Sequence, residues 1–467
     1  MSLPISDAVL SVAEMRTAEQ AAVAAGVSEW DLMRCAGEGA AQYVLRMAAG
    51  RPVTVLCGPG NNGGDGYVIA QAVIAAGGKA TVIAPEPPRT PVAEQARAAF
   101  HGATDNEGLC AGSVVVDCLF GYGLSREIEG EYADLLDRVS RHDGMRIAID
   151  LPSGVASDSG ALLGTVPAFD ATLALGAWKR AHFSMPARER MGAVRLVPIG
   201  LDVDGHTERV SRRPVLQAPS ARAHKYTRGL LAIVAGAMPG APLLAAEAAM
   251  RAGAGYIKLL SDHTHPAAPA DLVIDSSLLD KALSDERIDA CLVGPGLGRG
   301  DEARARMSAV LEESAFAVID ADALHLLNPD SLEGCDAARL VVTPHEGELA
   351  TLCKAFGVAK GGKRERAIGL HHATGLTVLA KGADTILAGS EGVRYFHPAS
   401  PWLSSAGTGD VLAGILASRL AHVKDPFVAA QEAVWLHGEA ARIAGAAFTA
   451  GDLARAVGQA MASFIRP

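Results

Sequence analysis

Val53-Thr54-Val55-Leu56-Cys57-Gly58-Pro59-Gly60-Asn61-Asn62-Gly63-Gly64-Asp65-Gly66 is the stretch that decides the fold class. The apolar residues to Cys57 predict a short strand, the glycines a tight loop, and the pattern that follows a helix to Ala76. Formally, Gly58–Gly63 satisfies G-x-G-x-x-G between a strand and a helix, the dinucleotide fingerprint. A flexible turn would account for the glycines but not for Asn61, Asn62 and Asp65 packed among them.

Working outward, apolar strands are predicted at Ala80–Ala84, Ser113–Val116, Arg146–Ile149, Ala171–Leu175 and Val194–Val197, with helical stretches between several. That alternation predicts an α/β fold with a doubly wound, Rossmann-like parallel sheet. Residues 7–49 read as one or two helices. Asp117 directly follows one predicted strand and opens Asp117-Cys118-Leu119-Phe120-Gly121-Tyr122-Gly123-Leu124. Asp150 follows another and opens Asp150-Leu151-Pro152-Ser153-Gly154. A single Asp after a strand is usually a turn former. Three polar clusters beyond carboxyl strand ends instead mark the edge where open α/β sheets bind ligands.

Leu201–Ser220, rich in Asp, Gly, Pro, Arg and Ser, is the candidate linker, so two domains are expected, 1–212 and 213–467. Strands are expected again at Leu230–Ala235, Gly255–Leu260, Cys291–Val293, Ala317–Ile319, Leu340–Val342 and Thr377–Ala380. Their ends carry Gly294–Gly298, Asp320–Leu324, Thr343–Glu348 and Lys381–Thr385. Last comes Ser404-Ser405-Ala406-Gly407-Thr408-Gly409-Asp410-Val411-Leu412-Ala413-Gly414, a Gly-rich turn feeding a helix over Val411–Leu420. Free N–H groups at such a helix start attract anions. A carboxylate beside them, Asp410, suits phosphoryl transfer to a hydroxyl. Gly357–Lys363 mimics a P-loop, but Arg364 stands where Ser or Thr would hold magnesium and no strand precedes it. His371-His372 lacks a second ligand cluster and reads as an exposed helix face.

Composition excludes several classes. The 467 residues are 49% hydrophobic and 20% charged, which suits compact domains. A formal charge of -10 argues against nucleic-acid or anionic-membrane surfaces. Seven scattered cysteines (35, 57, 110, 118, 291, 335, 353) without a C-x-x-C pair argue against a disulfide framework or zinc knuckle. Acidic residues within 1–30 and broken apolar runs predict no signal peptide or membrane span, hence a cytoplasmic protein.

The loops GPGNNGGDG, DCLFGYGL and AIDLPSGV resemble the N-terminal domain of the NAD(P)H-hydrate epimerases, the YjeF N-terminal family. The resemblance implies that Asn61, Asn62, Gly63, Gly64, Asp65, Gly121, Tyr122, Gly123, Leu124, Ser125, Arg126 and Glu127 hold hydrated NADH or NADPH (NADHX, NADPHX). It implies potassium at Asn62, Asp117 and Ser153, and Asp150 as the substrate-contacting acid/base carboxylate. Leu32-Met33-Arg34-Cys35-Ala36-Gly37 departs from the family, which usually has Glu-Asn before Ala-Gly. From Arg222 to Ile465 the chain resembles the ribokinase-like fold, and closely the ADP/ATP-dependent NAD(P)H-hydrate dehydratases, on GPGLG, DADAL, TPHEGEL, KGADT and SSAGTGDVLAGI. That likeness implies nucleotide contacts at Lys381, Gly382, Ala383, Asp384, Thr385 and Gly409. It implies hydrate contacts at Ala254, Gly296, His345 and Asp410, with Asp410 also the catalytic base. Gly236-Ala237-Met238-Pro239-Gly240-Ala241-Pro242 departs from the usual Gly-Ser…Tyr-Thr-Gly-Ala-Ala opening.

The reading is therefore a bifunctional repair enzyme that epimerises R and S hydrates and dehydrates the S form. ADP is the implied co-substrate, with magnesium and potassium, in a homo-oligomer. Three rivals stand beside it. A ribokinase-like small-molecule kinase fused to a dinucleotide-binding regulatory domain fits GTGD alone, but gives the N-terminal loops no role. An NAD-dependent oxidoreductase fits Gly58–Gly63 and leaves the second half unexplained. A non-enzymatic N-terminal scaffold would tolerate Asp150→Asn.

Overall fold

The computed structural model describes residues 6–105, 108–109, 112–263 and 265–466. Its contacts divide the chain into two compact units, Met1–Val210 and Ser211–Pro467.

In the first unit seven strands form one sheet, in the spatial order Ala103–Thr104, Ala80–Ile83, Val53–Cys57, Val114–Cys118, Arg146–Ile149, Ala171–Leu175, Ala193–Val197. Every neighbouring pair is parallel. Buried residues on both faces explain the near-continuous apolar strands. Val53, Val55 and Cys57 pack with the helices Glu29–Ala48 and Asn61–Ala75. Leu56 and Val115 instead meet Leu135, Leu136 and Val139 of the helix Gly130–Ser140. The chain runs outward from Val53–Cys57, then returns to Val114–Cys118 and builds the other way. That reversal opens the crevice where such sheets take ligands, and the loops after these two strands flank it.

The loops press together without room for side chains. A Cβ on Gly58 would lie 1.8 Å from the Leu119 carbonyl oxygen, and one on Gly63 would lie 1.8 Å from that of Gly58. Asp117 corrects the sequence reading. It lies within the strand Val114–Cys118, paired opposite Leu56, because the ladder continues to Cys57–Cys118. The stretch Leu201–Ser220 holds a short strand, Glu208–Val210.

The second unit repeats the logic. Its strands run Gly392–Tyr395, Ile386–Gly389, Thr377–Ala380, Leu340–Val342, Ala317–Ile319, Ala290–Val293, Leu230–Val234, Tyr256–Leu260, Val273–Asp275. The first two close an antiparallel hairpin on Thr377–Ala380, and the rest are parallel. Sequence reading did not find the hairpin. Each of its strands carries a glycine at the turn end, which reads as a loop rather than a strand. The helices Gly240–Ala249, Thr408–Val423, Pro426–Ala444 and Ala450–Phe464 cover one face. Asp301–Glu313, Glu346–Ala355 and Lys363–Thr374 cover the other.

Among the described residues no helix is long and apolar enough to cross a membrane. Cys110 lies outside the described residues, and the other six cysteines are free thiols. Gly58→Ala should cost about 3 kcal/mol, the upper end for overpacking, because the obstacle is backbone rather than a yielding side chain. Urea unfolding of the first unit's transition measures it.

Candidate active sites

In the first unit, Asp150 follows the strand Arg146–Ile149 and takes a φ of 66°, the left-handed region that side-chain-bearing residues seldom occupy. Such strain persists where surroundings over-determine it. Here four contacts do so. Lys179 Nζ donates to Asp150 Oδ1 at 2.5 Å, the Leu175 N–H to the same oxygen at 3.4 Å, and the Tyr122 N–H to Oδ2 at 3.0 Å. His182 Nε2 lies 2.7 Å from the Asp150 carbonyl oxygen. The Lys179 N–H donates to His182 Nδ1, so the ring proton belongs on Nε2 and points at Asp150. Burial, then the Lys179 charge, lower the His182 pKa to about 4 and keep it neutral.

Asp150 opens onto a cavity of about 820 Å³, within the range of small-molecule sites. Asn61, Asn62, Asp65, Gly121, Tyr122, Gly123, Leu124, Ser125, Arg126 and Asp150 all line it. Gly63, Gly64 and Glu127 do not. Gly63 packs on Gly58, Gly64 on the Met33 side chain, and Glu127 is exposed beside Gly164. Arg34 is on the solvent face of its helix and pairs with Asp31 at 3.2 Å and Glu38 at 3.5 Å. Burial, then Asp150 and Glu19, hold the Asp65 carboxyl well above the usual carboxylate range.

Sequence reading missed Lys179, His182 and Glu19. Lys179 sits just past the strand Ala171–Leu175, so the strand-end rule that found Asp150 could have found it. Glu19, on the helix Val12–Ala24, gives no such signal.

Asp117 is fully buried and accepts from the Leu119 N–H, the Ser153 N–H and the Ser153 hydroxyl at 3.1, 2.9 and 2.7 Å. Burial raises its pKa. The Asn62 amide nitrogen is buried without a partner, and Asn62 reaches the same Gly121 that faces Asp150. Among the described residues, no cluster of three or more His, Cys, Asp or Glu side chains could hold a metal ion.

The second unit gathers its own strand ends. Asp410 lies in the first turn of Thr408–Val423, capped by Gly407 at φ 89°. Asp320, beyond Ala317–Ile319, accepts from Lys381 Nζ at 2.6 Å and the Thr343 hydroxyl at 2.7 Å. A Cβ on Gly409 would stand 3.6 Å from Lys381 Nζ, so that ammonium lies against the helix start. Burial, then Asp320, raise the Asp410 pKa to about 6, against the opposing pull of Lys381. This places its proton exchange close to neutrality.

Asp384 is buried against Lys363, whose ammonium also donates to the Lys381 carbonyl at 3.3 Å. Lys363, from the false P-loop, thus steadies the loop. Thr385 and Gly382 close that turn on each other, the hydroxyl donating to the Gly382 carbonyl at 2.7 Å, with Ala383 between them. Gly296, at φ 65°, packs on Met238 of the atypical first loop, where a Cβ would meet the Met238 carbonyl oxygen at 2.3 Å. His345 caps the helix Glu346–Ala355. Its Nδ1 accepts the Gly347 and Glu348 N–H groups at 3.0 and 3.3 Å, while the ring stays 62% exposed. His371 Nδ1 sits 2.8 Å from the Leu376 carbonyl. Ala254 is not brought to this cluster. It precedes the strand Tyr256–Leu260, is buried, and donates its N–H to Ser418 at 3.0 Å, at the sheet edge opposite Asp410.

A family model described as NAD(P)H-hydrate dehydratase matches residues 231–462, and one described as YjeF-related protein N-terminus matches residues 29–181. A bifunctional NAD(P)H-hydrate repair enzyme from Gloeobacter violaceus is 34% identical, across 92% of this chain and 92% of its own. The one from Escherichia coli is 31% identical, across 97% and 92%. The solved ADP/ATP-dependent NAD(P)H-hydrate dehydratase from Bacillus subtilis, co-crystallised with ATP and Mg2+, is 25% identical. It covers 54% of this chain and 95% of that one at a TM-score of 0.44.

Two outcomes follow from the charges. Replacing Lys179 with Met should destabilise the first unit by about 3–5 kcal/mol, since the Asp150 charge would stay buried without its partner; urea denaturation reads this. Asp410→Asn should raise Tm at pH 7. A raised carboxylate pKa means that stability falls as pH climbs from 3.8 to about 6 and stays lower above it. Below that window both forms are neutral, and the two melting curves should coincide.

Proposed function

The chain belongs to the family of bifunctional NAD(P)H-hydrate repair enzymes, and from that premise we propose a division of labour between its two units. The unit Met1–Val210 interconverts the R and S hydrates of NADH and NADPH, and the unit Ser211–Pro467 dehydrates the S hydrate at the expense of ADP. The observation carrying this reading is a different carboxylate at each strand-end site. Asp150 is locked in a left-handed turn against a buried ammonium, and Asp410 is free to exchange a proton near neutrality.

In the epimerase site, Asp150 serves as acid/base at C6, with the Asn61–Asp65 and Gly121–Arg126 segments holding the hydrate in the cavity. The Asn62 amide oxygen, the Asp117 carboxylate and the Ser153 hydroxyl suit a potassium ion in donor chemistry. All are oxygens, and Asp117 has no cationic side chain paired with it among the described residues. Bound there, potassium would neutralise that charge and tie the strand end to the loop.

In the dehydratase site, Asp410 takes the proton of the 6-hydroxyl as its oxygen attacks the terminal phosphorus of ADP. The bond to AMP breaks and a phosphate ester forms. The C6–O bond then breaks with loss of a proton from the neighbouring ring carbon, giving phosphate and NADH. The Gly407–Asp410 helix start and Lys381 face the transferred group and stabilise its charge. Magnesium would enter with the ADP phosphates and neutralise them, since among the described residues no acidic cluster could hold the ion by itself. Gly296 and the Met238 loop packed on it form the hydrate's side of this site. The Lys381–Thr385 loop, braced by Lys363, forms the nucleotide's side. A homo-oligomer remains our reading of its assembly, checked by light scattering.

The test adds the enzyme to mixed R and S hydrates of NADH with ADP and magnesium, and follows NADH by its near-ultraviolet absorbance. Full recovery supports both reactions; recovery of the S portion alone removes the epimerase, and no recovery with ADP or ATP overturns the reading. Asp410→Ala should abolish dehydration while leaving the R/S equilibration rate intact. The wild-type dehydration rate should rise with pH through about 6, as the Asp410 base ionises.

A further inference from the structure

Equilibrating two epimers needs one group that gives a proton and another that takes it. Asp150, held by an ammonium, supplies only one of them. Tyr122 points to the other. Its N–H donates to Asp150 Oδ2 at 3.0 Å, and its hydroxyl donates to Glu19 Oε2 at 2.7 Å. The two carboxyl groups thus stand one tyrosine length apart, and both line the same cavity. The Lys179 ammonium sits 5.4 Å from the centre of the intervening ring.

Glu19 and Asp150 differ in what surrounds them. Asp150 is buried and ion-paired, whereas Glu19 is partly open to the cavity and takes a neutral hydroxyl as its hydrogen-bond donor. Burial raises the Glu19 pKa, with Tyr122 and Lys179 opposing. Of the two other carboxyl groups that line the cavity, Asp65 is nine-tenths covered and Glu29 is exposed at the surface, without the Tyr122 link to Asp150, so both are poorer partners.

We propose that Glu19 is the second proton-transfer group of the epimerase site, working with Asp150; this rests on the epimerase reading above. From R to S, the Glu19 carboxylic acid protonates the 6-hydroxyl. The C6–O bond breaks, the ring-nitrogen lone pair closes onto C6, and water departs. Water then adds to the other face of C6, a new C6–O bond forms, and the Asp150 carboxylate takes the proton released. One water leaves and one enters. The proton lost by Glu19 is gained by Asp150, and exchange with solvent resets both.

The test measures R/S equilibration of hydrated NADH by chromatography, without ADP so that no hydrate is dehydrated, above the enzyme-free rate. Glu19→Gln should lower kcat roughly a hundredfold or more, the usual worth of a general acid, with KM within about threefold. Glu19→Ala should be as impaired and regain rate when formate is added. An unchanged urea transition of the first unit reports that the variants' epimerase site is folded, and their ADP-dependent dehydration of the S hydrate reports the same of the second unit. A kcat within threefold of wild type, a change in KM alone, or no rescue by formate overturns the role of Glu19. A wild-type enzyme that does not equilibrate the epimers at all fails the epimerase reading itself, a result distinct from any of these.

Discussion

A carboxylate taken out of water needs partners to offset its lost hydration, and each unit supplies one of its strand-end aspartates with a lysine rooted beyond another strand of the same sheet. Lys179 meets Asp150 at 2.5 Å, and Lys381 meets Asp320 at 2.6 Å. Each pair ties the ends of separate strands together at the crevice of its sheet. Buried pairs of this kind add little net stability, because desolvation consumes most of the attraction. What they contribute here is position. Asp150 is held at φ 66° with the ammonium, the Tyr122 N–H and His182 closing around it.

The same physics sets the two carboxylates apart. Asp150 has a full positive charge against it, so its ionised form is already compensated. Asp410 has acidic neighbours, Asp320 and Asp322, and Asp320 takes the nearest lysine for itself. Burial first, and then these charges, hold its proton more tightly than an ordinary aspartate holds one. A carboxylate tuned this way is poised to accept a hydroxyl proton, which is the step proposed for the dehydratase. Close loop packing completes both sites, with Gly58 against Leu119 in one and Gly294 against Asp320 in the other, each leaving no space for a Cβ.

Much of the fold was legible in the sequence. The apolar strands and the Gly-rich loops beyond them are local signals, and the expected strands lie within a residue or two of those observed. The cavity-lining Asn61, Asn62 and Gly121–Leu124 were found by the same logic, and Ser125 and Arg126 through the family resemblance. Other features depend on the partner rather than the segment. Asp117 was placed past its strand, since nothing local reveals that the ladder reaches Cys57. Ala254 was grouped with Asp410 although its strand begins, rather than ends, there. His345 looked like a ligand contact, and the structure shows that it also caps its own helix.

The sequence by itself determined the α/β class, the division into two units, and the loops that gather at the strand ends, because periodicity and glycine placement act over a few residues. Only the tertiary structure decided which charges share a site. Lys179 stands 29 residues from Asp150, Glu19 stands 103 from Tyr122, and Lys381 stands 61 from Asp320. Pairings at such separations are set by the register of parallel strands and the packing of helices across them. An electrostatic field follows distance in space, which no spacing along the chain records.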